Sequence, residues 1–266
     1  MEAVAFAAER FLTVPTWHAA AQEVISRLGQ AAAVSRTYLF ENHLGPDGEP
    51  VASQRYEWAA PGIAPQLHNP QLQNIHYDRP PQSLWYEGLA AGLPQMSHVG
   101  ALDPVRRTSL EDQDIRSILI VPIFVDGTLW GSIGFDQCDR ERVWSEPEVD
   151  ALKAAAGILG AAIRMERSQG ALRESEVRYR HLVELSPDAI AIHTEGRFVF
   201  ANPALATLLG AGRPEDLLGM SIWTSSIRTT APSSRSGRGP WRRASGSRRR
   251  SRGSSSVWTG RSSTWR

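Results

Sequence analysis

The chain has 266 residues, 41% of them hydrophobic, a formal net charge of +1 and one cysteine, Cys138. That length leaves room for one or two buried cores, and a single thiol excludes a disulfide framework or a cysteine-rich metal site and fits a reducing compartment. No apolar run nears the length of a membrane span and the N-terminus lacks the basic start of a secretion signal, so the expected location is cytoplasmic, with no membrane partner.

The near-neutral balance hides an asymmetry. Thr224–Arg266 holds 11 Arg and no Asp or Glu, so all 28 acidic side chains fall in the first 223 residues. An acidic body therefore carries a strongly basic tail.

In chain order, Glu2 to Leu12 has helical character, and Thr16 to Leu28 predicts an amphipathic helix with Thr16 as N-cap and Gly29 as its stop. Val34 to Glu41 predicts a strand, and Gly45-Pro46-Asp47-Gly48 a loop. Gln54 to Ala59 alternates with Tyr56 and Trp58 on one face, as a half-buried strand does. Five prolines make residues 61–81 loop-like. Leu84 to Ala91 predicts a helix, Gln95 to Val99 a short strand, and Asp103 or Pro104 the start of a helix running to about Gln113.

The most legible stretch follows. Ile118 to Val125 is a short β-branched and aromatic run that stops at Asp126-Gly127, the dipeptide that supplies positive φ at both central positions of a type I′ turn. Thr128 to Asp136 should therefore fold back antiparallel. Ser145 and Glu148 have capping-box spacing, with Pro147 tolerated in the first helical turn, so a helix should start there. Its Val149, Leu152, Ala156, Leu159 and Ile163 step by three and four along one stripe. Two readings of that stripe stand side by side: a parallel homodimer seam, or a helix lying on its own sheet. Beyond Ile163 the helix can continue to about Leu185, with Glu166 and Gly170 interrupting the stripe.

Val121-Pro-Ile-Phe-Val-Asp-Gly-Thr-Leu-Trp-Gly-Ser-Ile-Gly-Phe-Asp136, Trp144-Ser-Glu146 and the Ala/Leu/Ile pattern from Asp150 resemble, in order and spacing, the C-terminal half of a GAF domain. The resemblance covers residues 1–165 and implies an α+β fold with a central antiparallel sheet flanked by helices. It also implies a ligand pocket between that sheet and the connection at 61–115, where Trp85, Tyr86, Met96, His98, Arg106 and Arg107 are candidates. An aromatic box with two arginines suits a planar anionic ligand such as a nucleotide; the alternative is that the aromatics fill a core and the arginines are solvated. The cofactor is unknown. No covalent bilin is expected, because Cys138 lies after the last strand of the sheet. The residue set of cyclic-nucleotide-binding members is not recognisable, and haem would have to use His68, His76 or His98. No phosphate loop, nucleophile elbow or metal set is present, so no catalytic or metal residue is expected.

Glu174 to Ile190 resembles the start of a PAS domain. Ala189 to His193 and Arg197 to Ala201 are its first two strands, Asn202 caps the helix that follows, and the fragment at 186–223 is incomplete. A GAF domain, a helical signalling linker at 166–185 and a PAS domain together resemble the sensory half of a bacterial sensor histidine kinase or, less closely, of a diguanylate cyclase. The resemblance implies a homodimer that passes a small-molecule signal through the helix. No phosphoacceptor box, ATP-binding box or cyclase loop occurs in this chain, so the output is absent from it.

The tail at 224–266 is expected to be disordered. Its Trp241, Trp258 and Trp265 among arginines would suit a nucleic-acid binder. The other reading is a gene read out of phase: moving each codon boundary one base upstream from Thr224 permits a peptide that resembles the continuation of a PAS domain. This second origin argues against nucleic acid as a partner.

Overall fold

A computed structural model describes residues 2–77, 79–223 and 256–260. Contacts divide the chain into two compact units, one ending at Gly170 and one beginning at Ala171.

In the first unit, α1 (Glu2–Thr13) and α2 (His18–Ala32) precede β1 (Arg36–Leu44) and β2 (Pro50–Ala59). A connection carrying β3 (Ile75–His76), α3 (Gln82–Ala90), β4 (Gln95–His98) and α4 (Pro104–Glu111) leads to β5 (Ser117–Val125) and β6 (Thr128–Gln137), after which α5 (Glu146–Glu184) begins. The strands form one sheet in the order β3-β2-β1-β6-β5-β4, with every pairing antiparallel. The turn between β5 and β6 has positive φ at Asp126 (52°) and Gly127 (76°), as the Asp-Gly dipeptide requires.

Strand alternation divides the sheet into two buried faces. Leu39, Leu119, Val121, Ile123, Ile133 and Phe135 enter a core with α1, α2 and α5. Ile118 and Ile120 point the other way, into a second core with Leu89, Leu102, Leu110 and Ile115 of the connection. Burial on both faces explains why β5 reads as an unbroken apolar run.

Three local expectations are corrected. Gly29 does not stop α2, which runs on to Ala32 and closes with Ala33 in the left-handed region at φ 50°. A Cβ at Gly29 would collide with the Trp58 ring and the Thr37 hydroxyl, so the glycine lets the helix lie close against β2. Thr16 is not the N-cap either; Trp17 holds that position without a side-chain cap. At α5 the box is half formed. Glu148 Oε2 accepts from the Ser145 amide at 2.8 Å and from the Ser145 hydroxyl at 2.6 Å, so the serine donates to the carboxylate instead of capping the helix.

The stripe of α5 lies on its own sheet: Val149, Leu152, Ala156, Leu159 and Ile163 are 7%, 0%, 2%, 3% and 1% exposed. Each large side chain buried there contributes about 1.5–3 kcal/mol. That face is therefore covered within the unit, and the placement of a dimer seam on these five residues is corrected. At Gly160, whose Cβ would strike the Phe124 carbonyl, the helix backbone approaches β5 directly. Glu166, expected to break the stripe, accepts the Trp17 amide at 2.9 Å.

In the second unit, β7 (Ala189–Thr194) and β8 (Arg197–Ala201) form a hairpin and α6 (Pro203–Leu209) follows. Asn202, fully buried, organises it: Oδ1 accepts from the Leu205 and Ile190 amides at 2.9 Å each, and Nδ2 donates to Asp188 O at 2.8 Å and Val183 O at 3.1 Å. Ala191, Phe198, Leu205 and Leu217 form a small core. The tail, expected to hold no ordered element, supplies β9 (Ser256–Gly260), which pairs antiparallel with β7. Ser-Val-Trp-Thr-Gly has the β-branched and aromatic residues that favour a strand. The rest of the tail lies outside the described residues.

Candidate functional site

A cavity of about 110 Å³ lies between the sheet and the connection. Its floor comes from the sheet, and alternation decides which residues reach it: Arg36, Tyr38 and Phe40 of β1, Ile118 and Ile120 of β5, and Ser132 and Asp136 of β6. Tyr38 faces Gly134 across the β1–β6 pair, and its ring occupies the space that a Cβ there would need. β2 contributes Ala52, Gln54 and Glu57. Gln54 reaches the cavity because the register shifts between Leu39 and Phe40. Opposite that step Arg55 is the extra residue, so Tyr56 and Trp58 pack on the helix-side core while Gln54 points the other way.

Buried charges tie the roof to this floor. Arg36 is 1% exposed; its Nη2 donates to Gln113 O at 2.7 Å, its Nη1 to Ala64 O at 3.2 Å and its Nε to Asp136 Oδ2 at 3.3 Å. Glu57 holds the 61–81 loop, accepting from the Gln66 amide at 2.7 Å and the Leu67 amide at 2.8 Å. These three bonds of Arg36 serve the fold.

Two buried polar atoms of the cavity lining have no hydrogen-bond partner, Asp136 Oδ1 and Gln54 Nε2. Burial pushes the Asp136 carboxyl up to about 6, against the opposing pull of the Arg36 guanidinium and of the neighbouring Tyr38 hydroxyl. Burial, reinforced by the Asp136 charge, also raises the Tyr38 phenol, which stays protonated as a donor.

Of the six residues expected in the pocket, only Trp85 lines it. Arg106 sits over the Trp85 ring at 5.0 Å, paired with Asp103 in the first turn of α4. Arg107 donates to Gly100 O at 2.6 Å and Leu102 O at 3.0 Å. Tyr86 packs on Tyr77, with centroids 4.6 Å apart, and Met96 is 56% exposed on β4. His98 Nδ1 lies 3.0 Å from the Ser117 hydroxyl. The pair of arginines proposed for an anion is therefore replaced, at the cavity itself, by Arg36. Arg36 and Asp136 lie 100 positions apart and meet only through β1–β6 pairing, so the one sequence signal was a charge inside each of two otherwise buried strands. Cys138 does not line the cavity. Among the described residues no group of three metal-ligating side chains occurs, and no helix is long and apolar enough to cross a membrane.

A sheet with helices on one face and a roofed cavity on the other matches what comparison finds. The sequence profile of the GAF domain family matches residues 16–163, more than half of the sequence, and a PAS domain profile matches residues 177–245. The chain belongs to the GAF domain family. It is 45% identical over 150 residues to the methanogenesis regulatory histidine kinase FilI of Methanothrix harundinacea, covering 56% of this chain and 17% of that protein. It is also 34% identical over 76 residues to the circadian input-output histidine kinase CikA of Thermosynechococcus vestitus, 29% of this chain and 10% of the other. The chain thus spans less than a fifth of either relative. Among solved structures, a biliverdin-bound protein in its far-red-absorbing dark state superposes with a TM-score of 0.52 at 17% identity, over 62% of this chain and 99% of that one, which shows a shared fold. Together these likenesses support a sensory role in signal transduction.

Proposed function

We propose that the chain is the sensory region of a histidine kinase, in which a small molecule held in the cavity of a GAF domain at 1–165 acts through a linker at 166–185 on a PAS region beginning at 186. The observation that carries this reading is the double use of one sheet. Residues 118, 120, 132 and 136 border the cavity side while 119, 121, 123 and 133 pack on the helix side. A ligand that shifts β5 or β6 on one face therefore moves the seat of α5 on the other, because close-packed interiors pass displacement on. The 21 residues of α5 beyond Ile163 extend about 30 Å, long enough to carry a rotation or register change away from the cavity.

Homodimerisation belongs to the same reading, on a different stripe of α5. Met165, Leu172 and Tyr179 recur every seven residues, with Leu182 beside them, and are 52%, 61%, 67% and 63% exposed. A heptad of exposed apolar residues is what a parallel coiled coil buries. Sedimentation of the full chain and of Leu172→Glu tests it: a dimer that becomes a folded monomer supports the seam, and an unchanged association state contradicts it.

A further inference from the structure

We propose that the cavity takes a neutral, single-ring aromatic molecule bearing a hydroxyl, which donates to Asp136 Oδ1 while the ring lies among the apolar walls. The inference rests on the reading of this cavity as the sensory site and specifies its ligand.

Size sets the first limit. At about 110 Å³ the space is smaller than the ~150 Å³ apolar cavity that accepts benzene, so a single small ring is the most it holds. A nucleotide or a four-ring pigment exceeds it several-fold. Wall chemistry sets the second limit. Phe40, Leu72, Ile75, Trp85, Leu110 and Ile120 favour an uncharged ring and give nothing to solvate an ion.

Charge excludes the anions that the sequence suggested. The site holds one cation, Arg36, and two carboxylates, Asp136 and Glu57. Arg36 already donates to Asp136 and to two roof carbonyls. An incoming carboxylate or phosphate would face two like charges and compete with the bonds that hold the roof. Glu57 is satisfied by the Gln66 and Leu67 amides, which leaves Asp136 Oδ1 as the acceptor still unmatched. At neutral pH that carboxyl, raised to about 6, is largely ionised and accepts strongly from a hydroxyl. Gln54 Nε2 is the remaining unmatched donor, available to a second polar substituent on the ring.

The test is calorimetric titration of the full chain at pH 7.5 with phenol, toluene, benzoate, cyclic GMP and biliverdin, repeated on Ala52→Leu, which fills the cavity from β2. Ser132→Val is a second filling variant should the first not fold. The expected result is one-to-one binding of phenol, at least tenfold tighter than toluene or benzoate, as a hydrogen bond to a charged group implies, and lost in the filled variant. Benzoate, cyclic GMP or biliverdin binding more tightly than phenol, with that binding lost in the filled variant, would overturn the ligand class and leave the cavity as the sensory site. Phenol binding that survives filling, or no binding by any of the five, would overturn both.

Discussion

Two leucines of α5, thirteen residues apart, should respond to substitution in opposite ways. Leu159 is 3% exposed within the core that α5 shares with the sheet, and Leu172 is 61% exposed. Replacing Leu159 by Ala removes a buried isobutyl group and leaves a void, a change that costs about 2–5 kcal/mol. For a unit of this size, with Gly170 at its end, each kcal/mol lowers the melting temperature by about 2–4 °C, so a fall of about 10 °C is expected. Glu at the same position would place an unpaired charge in the core and should prevent cooperative folding. Leu172→Glu leaves the monomer within about 0.5 kcal/mol, as exposed substitutions do. In a dimer it places two carboxylates in the seam. Losing one buried Leu per copy, at about 1.5–3 kcal/mol each, weakens association by at least a hundredfold. Calorimetry and sedimentation velocity on the same samples separate the outcomes. A folded Leu159→Glu monomer with an unshifted transition would show that the buried stripe is not core, and a dimeric Leu172→Glu would refute the exposed seam.

Three further outcomes follow from individual residues. Asp136 has a folded pKa of about 6 against a reference of 3.8, because burial favours its neutral form. Its contribution to stability is therefore full below about pH 4 and lost as pH rises through about 6. Plotted against pH over that window, the melting temperature of Asp136→Asn should fall less steeply than that of the unaltered chain; identical slopes would refute the assignment. Asn202→Ala strands the buried Leu205 amide and the half-buried Ile190 amide and should cost about 2–4 kcal/mol. Trypsin should then cut at Arg197 and Arg213 much faster, and unchanged cleavage rates would contradict the role given to Asn202. For the tail, sequencing the gene across codons 224–266 should reveal a PAS-like peptide one base upstream; stop codons in that frame would dismiss the out-of-phase origin.

Where the sequence was legible, local chemistry alone decided the structure. Asp126-Gly127 specified a turn, Asn202 before Pro203 specified a cap, and the period of α5 specified a buried face. The seat of that face was not legible, because an apolar stripe has the same spacing whether it meets a sheet or a second copy. Gly29 misled for a related reason: glycine ends helices through its backbone freedom, and here it is needed for its small size against Trp58. A cavity does lie between the sheet and the connection, yet of the six residues expected there Trp85 alone lines it. Arg36 and Asp136 meet only through strand register, and the irregularity at Arg55 reverses the face on which Gln54 lies. Pattern reading assumes an unbroken alternation, and one extra residue inverts it. Trp85 was found because it is a large aromatic in the connection; Arg106 and Arg107 were expected beside it, but caps and carbonyls in their own segment engage them first.

The most direct test of coupling between cavity and helix is hydrogen exchange along α5, measured on the full chain with and without saturating phenol. Binding on one face of the sheet should slow amide exchange in β5 and β6 and, through their other face, alter protection at Val149 to Ile163 and beyond Met165. Phenol that binds by calorimetry and protects the strands, yet leaves every amide of α5 unchanged, would contradict transmission through this sheet.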